Sequence, residues 1–156
     1  MAIAANVKSY LDAQGVQYEL IGHYLTGSSH ESAEAAHIDE GHIAKAVILT
    51  GQQGPVMAVV PGDTWVSLSA VQRMLDRELV LAQENETASL FADCDQGAIP
   101  PLGPAYGIET LLDSALESLA FHYFESGDHQ TLLKVRGEDF FKLLGGARRG
   151  HFSSAD

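Results

Sequence analysis

Lys45 lies in the run Ile43-Ala44-Lys45-Ala46-Val47-Ile48-Leu49, where a cation is out of place. In a strand, alternation puts its side chain on the face of Ile43, Val47 and Leu49, which would pack inward. Burying an ammonium without a partner is costly and lowers its pKa. Two readings follow. In one, Lys45 belongs to an edge strand, its amine snorkelling to water and blunting edge pairing. In the other, it stands in a pocket wall and meets an anionic group such as a phosphate. The second unusual stretch is the loop from Asp93 to Pro104, with three prolines and two glycines in Gly97-Ala98-Ile99-Pro100-Pro101-Leu102-Gly103-Pro104. Such a composition forms neither a regular helix nor a central strand. It serves either as a stiff connector or as a rigid turn whose outward amides at Gly97, Ala98 and Ile99 bind an oxyanion or hold a water.

Other residue types offer less. Asp93 and Asp95 share a face if extended, as an acid–base pair or metal site would require, but capping beside a turn suits them better. Cys94 has no basic neighbour in sequence and reads as a small hydrophobe. As the single cysteine it excludes an internal disulfide and a multi-cysteine zinc site. The seven histidines show no HExxH or comparable ligand spacing. No G-x-S-x-G elbow, P-loop or dinucleotide fingerprint is present, and Ser28, Ser29 and His30 are better explained by helix capping than by nucleophilic catalysis.

The elements that must carry these residues follow from periodicity. Ile3, Val7, Tyr10 and Leu11 have helical spacing, and Gly15 ends the helix. Val16–Tyr24 reads as a strand, and Ser28-x-x-Glu31 as a capping box opening a helix through Ile38. Ile43–Thr50 and Val56–Pro61 form a hairpin across Gly51-Gln52-Gln53-Gly54. Ser67 caps a helix with Leu68, Val71 and Leu75 on one face. A strand at Leu79–Ala82 and a helix at Glu84–Phe91 precede the loop. Strands follow at Tyr106–Leu112, Leu119–Glu125 and Thr131–Val135, the last two joined at Ser126-Gly127-Asp128. A helix from Glu138 to Leu144 ends at Gly145, and residues 146–156 read as a frayed tail. The expectation is an α+β (mixed α/β) fold in a single domain over residues 1–156, with a mixed sheet able to curl into a partial barrel.

With 156 residues and 46% apolar content the chain has the makings of a globular core. No run approaches 18 apolar residues, and the start MAIAANVKSYLDAQG has no secretory pattern, so a cytoplasmic location is expected. Nine basic residues against 21 acidic ones give a net charge of −12. That charge excludes a protein that coats nucleic acid by neutralising phosphates. It leaves open a pocket that reads only the end of one.

Lys45 in AKAVIL, Val59-Val60-Pro61, the stretch LFADCDQGAIPPLG and the YF-x-x-G-x-H segment Tyr123–His129 occur in one order. Together they resemble the YbaK/ProX family of aminoacyl-tRNA deacylases, relatives of the editing domain inserted in bacterial prolyl-tRNA synthetases. The most specific parts are the strand lysine and the G-x-x-x-P loop Gly97–Pro101 with Gly103 after it. The resemblance implies a barrel-like mixed core with a pocket for the aminoacyl end of a tRNA. It implies that Lys45 holds the phosphate or ester near the terminal adenosine, and that Gly97, Ala98 and Ile99 position the ester carbonyl or attacking water. Ser28, Pro100, Pro101, Gly103 and His129 would form the substrate-binding side. One departure is Pro100, where many relatives carry serine, so a hydroxyl bearing on selectivity is missing there. The implied partners are tRNA, through its 3′ aminoacyl end, and an aminoacyl-tRNA synthetase, with no membrane, metal or cofactor. Two other functions remain: a non-catalytic module that binds aminoacyl-adenosine, and, more remotely, a metal-dependent hydrolase.

Overall fold

The computed structural model describes residues 3–23 and 29–155, the side chains of Ser29 and His30 excepted. Helix α1 (Ala5–Gln14) buries Val7 and Leu11 and stops at Gly15, whose φ of +66° is the left-handed cap that glycine takes without strain. Strand β1 (Glu19–Gly22) is shorter than expected. Helix α2 (Ser29–Ala36) follows; the expected cap at Ser28 lies outside the described residues. The hairpin is present as β2 (Ala44–Gly51) and β3 (Gly54–Pro61). After a two-residue strand β4 (Trp65–Val66), Ser67 Oγ accepts from the Ala70 amide to open α3 (Leu68–Leu75).

Strand β5 (Val80–Leu81) and helix α4 (Glu84–Leu90) lead into the proline-rich loop. Strand β6 (Glu109–Asp113) begins later than the sequence suggested, because Pro104 starts a 3-10 turn over Gly103–Tyr106 that closes at left-handed Gly107. Strands β7 (Phe121–Glu125) and β8 (Thr131–Arg136) form the second hairpin, and helix α5 (Gly137–Leu143) follows.

The tail corrects the sequence expectation. Arg148–Gly150 is a strand, β9, running parallel to β6, and Ser153–Ser154 is a strand, β10, antiparallel to β4. The anchor is the Asp113 carboxylate, fully buried, which accepts from the amides of Phe152 at 2.8 Å and Ser153 at 3.0 Å and from the Ser153 hydroxyl at 2.8 Å. Phe152 is buried between these contacts.

The mixed α/β reading holds, with the β structure divided into three hydrogen-bonded sheets. The largest has the order β5-β2-β3-β6-β9, the second β1-β8-β7, and the third β10-β4. The first two meet through a parallel bridge between Ile43 and Tyr123. The main core, with Ala44, Ile48, Met57, Phe91, Leu102, Phe124 and Phe140, lies on one face of β2 and β3. A second cluster around Leu49, Val60, Val71 and Phe152 fills the opposite face. The connection from β3 to its parallel neighbour β6 carries α3, β5, α4 and the proline-rich loop. No helix among the described residues is long and apolar enough to cross a membrane.

Candidate active site

Strand β5 pairs with β2 only at Leu49 and Thr50, so among the described residues the first half of β2 has no strand neighbour on that side. A cavity of about 400 Å³ opens there. One wall is Ala46, Val47 and Ile48 of β2; another is Thr87, Ala88 and Phe91 from α4 and its end; the third is Gln96, Gly97 and Ile99 of the loop. Apolar walls exclude water from a bound group, while a few polar atoms orient it.

Two hydrogen bonds fasten the loop to the β7–β8 turn. The Asp95 amide donates to Gly127 O at 2.7 Å, and His129 Nε2 bonds Gln96 O. The turn is itself stiff, since Asp128 Oδ1 accepts from the Gln130 and Thr131 amides. Helix α1 braces the same region: the Ala4 amide donates to Ser126 O, and the Asn6 amide to Asp93 Oδ2. Tyr106 donates to Asp93 Oδ1 at 2.9 Å. Burial works to raise the Asp93 pKa, but the bonds from Asn6, Tyr106 and Cys94 outweigh it and hold the carboxyl below its usual value. Asp93 therefore pins α1 to the loop, a long-range tie rather than the local capping beside the turn expected of it.

Cys94 lines the cavity, yet burial pushes its thiol up to about 12. At neutral pH it is not a thiolate and cannot serve as a nucleophile. Among the described residues no group of three or more His, Cys, Asp or Glu side chains is arranged to hold a metal.

Of the predicted site residues, only part of the loop reaches the cavity wall. Gly97 and Ile99 line the cavity, and among the described residues their amides meet no acceptor. Gly97 has φ +80°, a conformation glycine supplies at no steric cost. Ala98 departs from expectation: its amide is not outward but donates to Asp95 O at 3.1 Å, and its side chain is fully buried. Pro100, Pro101 and Gly103 are buried behind the loop and do not reach the cavity wall. A Cβ on Gly103 would stand 1.8 Å from Thr110 Oγ1, so this glycine serves the packing of the loop onto β6. His129 is likewise buried behind the loop, and Ser28 lies outside the described residues.

Lys45 sits one residue before the β2 wall. Its amine is half-buried over the exposed ring of Trp65, 5.1 Å from the centroid. Burial lowers its pKa, and the carboxylates of Glu40 and Asp63 oppose that shift. Reasoning from sequence missed the α4 wall and Trp65. The helical spacing of Glu84, Thr87, Ala88 and Phe91 was available as a signal; the Trp65 contact was not.

The sequence model of the aminoacyl-tRNA editing domain matches residues 23–143, more than three quarters of the chain. The chain belongs to the aminoacyl-tRNA editing domain family. No curated protein matches it in sequence. Among solved structures, the hypothetical protein APE2540 superposes with a TM-score of 0.84 at 24% identity, covering 96% of this chain and 99% of the other. A candidate trans-editing enzyme for prolyl-tRNA synthetase gives 0.82 at 22% identity, covering 97% and 96%. A candidate signal transduction protein from Marinobacter aquaeolei VT8 gives 0.79 at 23% identity, covering 97% of this chain but 31% of that longer one. At these identities the likeness speaks for the fold alone.

Proposed function

We propose that this editing domain is a free-standing deacylase that hydrolyses the ester bond of mischarged aminoacyl-tRNA. The observation that carries the reading is the cavity between β2, directly after Lys45, and the Gln96–Ile99 loop. An aminoacyl ester is already activated, so no covalent enzyme intermediate is needed, and Cys94 is unsuited to form one. Water adds to the ester carbonyl while the Gly97 and Ile99 amides receive the developing oxyanion. The bond from carbonyl carbon to ribose oxygen then breaks, releasing the amino acid and restoring the terminal hydroxyl, with the vicinal hydroxyl relaying the proton. Lys45 holds a phosphate near the terminal adenosine. Only the 3′ end is gripped, which reconciles a tRNA substrate with a net charge of −12.

The test is deacylation of tRNAs charged with alanine, serine, threonine and cysteine, among others. The proposal expects hydrolysis well above background for at least one. Tight binding of an aminoacyl-adenosine analogue with no turnover on any tRNA would make the domain a non-catalytic binding module instead.

A further inference from the structure

Glu125 is the buried acid that the proposed reaction does not use. It ends β7 with its side chain 97% buried, and its Oε1 lies 3.9 Å from Nδ1 of His129, itself 95% buried. Among the described residues neither carboxyl oxygen has a hydrogen-bond partner within normal distance; Ser32 of α2 favours the charged carboxyl and Asp128 of the turn disfavours it. His129 sits at φ +57°, a left-handed conformation that a non-glycine residue holds only when its surroundings impose it. Its far nitrogen, Nε2, bonds the Gln96 carbonyl. We infer that Glu125 is a positioning residue: acting through the His129 imidazole, it keeps the Gln96 carbonyl turned inward and so presents the Gly97 N–H to the cavity.

In a trans peptide the carbonyl and the following N–H point in opposite directions, and no described peptide is cis. Drawing Gln96 O toward buried His129 therefore sends the Gly97 N–H the other way, to the side that Gly97 lines. Because a carbonyl only accepts, Nε2 must carry a proton. The carbonyl favours that tautomer, whereas an ionised Glu125 beside Nδ1 works against it unless the pair holds a further proton. One proton within the pair, on Glu125 or on Nδ1, leaves Nε2 protonated: either an acid faces a neutral ring, or a carboxylate faces an imidazolium. Burial pushes the Glu125 carboxyl up to about 7, so the protonated acid is accessible near neutrality. With an apolar group in its place, the Gln96 carbonyl still favours a proton on Nε2, but the ring loses the polar group beside Nδ1 and holds the peptide less firmly.

This inference deepens the deacylase proposal, for which the Gly97 N–H is the oxyanion donor, but its first test needs no activity. In full-length protein labelled with 15N, the ring nitrogens of His129 report the tautomer. The wild type should show a protonated Nε2; an unprotonated Nε2 overturns the inference outright, whatever any variant does. Glu125→Gln, whose amide can still donate to Nδ1, should keep that pattern and the Gly97 amide shift. Glu125→Leu, of similar volume, should keep the Nε2 proton but move the Gly97 amide shift. On a tRNA the wild type deacylates, Glu125→Leu should lower kcat at least tenfold with KM little changed, and Glu125→Gln should restore it to within about threefold. A Leu variant with wild-type Gly97 amide shift and kcat contradicts the inference. Absence of turnover in the wild type would count against the deacylase proposal alone, because the Gly97 amide shift decides the role of Glu125 separately.

Discussion

Replacing Gly103 by alanine separates a packing glycine from a ligand-facing one. The added Cβ would meet Thr110 Oγ1 at 1.8 Å and the Ile108 carbonyl at 2.9 Å. Neither neighbour yields easily, since the Thr110 hydroxyl is itself bonded to Ile108 O and Thr110 is buried on β6. Overpacking of this kind costs about 1–3 kcal/mol, and a backbone contact puts it toward the upper end. Gly103 is not among the positive-φ glycines, so alanine also removes about 0.4–1 kcal/mol of unfolded-state entropy in its favour. The net loss is about 2 kcal/mol, which in a domain of this size lowers Tm by about 4–8 °C. Thr110→Ala in the same chain removes the nearest atom, so the double mutant should recover at least about 1 kcal/mol relative to additivity. Thermal melts of the four proteins provide the cycle. If Gly103→Ala melts at or above the wild-type temperature, or the two changes simply add, the packing argument is wrong. A normal melt with weakened substrate binding would return Gly103 to the binding surface.

The remaining predictions concern the tail, the buried acid and the strand lysine. Asp113→Ala strips the acceptor from three amides and a hydroxyl, should cost about 3–5 kcal/mol, and should open Arg148 and Arg149 to trypsin while the rest of the chain resists. Glu125, faced by His129, Asp128 and Ser32, has its folded carboxyl raised from 4.5 to about 7. The folded state thus binds the proton more tightly, and stability declines as pH rises from about 4.5 through 7, by on the order of 3 kcal/mol for this group. Chemical denaturation at pH 5 and pH 8 should therefore show Glu125→Gln gaining on wild type at the higher pH; no change in the difference would contradict the burial cost. Lys45→Arg should reduce deacylation, because a planar guanidinium does not replace a compact ammonium on a phosphate; full activity would indicate only a generic positive charge.

Elements with local chemical punctuation were legible in the sequence. Ser67 caps α3 through a bond three residues away, Gly15 closes α1, and the β2–β3 hairpin follows from its alternation and glycine turn. The tail was not, because Arg-Arg-Gly has no strand pattern. It is ordered by Asp113, some 40 residues earlier, and by backbone pairing with β6. The same contrast holds at the site. Gly97 and the prolines mark an unusual loop by composition alone, whereas the tie between His129 and Gln96 spans 33 residues and leaves no local signature. Glu125 was invisible for a related reason. It alternates with Phe121 and Tyr123 on a face that reads as solvent-exposed at a charged position, yet in the fold it is covered by α2 and the turn. Ala98 shows the limit from the other side: the loop was recognised, but which amide turns inward depends on the Asp95 carbonyl.

The most direct measurement compares wild type and Lys45→Ala on whichever mischarged tRNA the wild type cleaves fastest, with circular dichroism and a melt run in parallel. A fold of wild-type stability with deacylation reduced to background is the predicted outcome. Undiminished cleavage by the alanine variant would show that the half-buried amine beside Trp65 plays no part in holding the substrate.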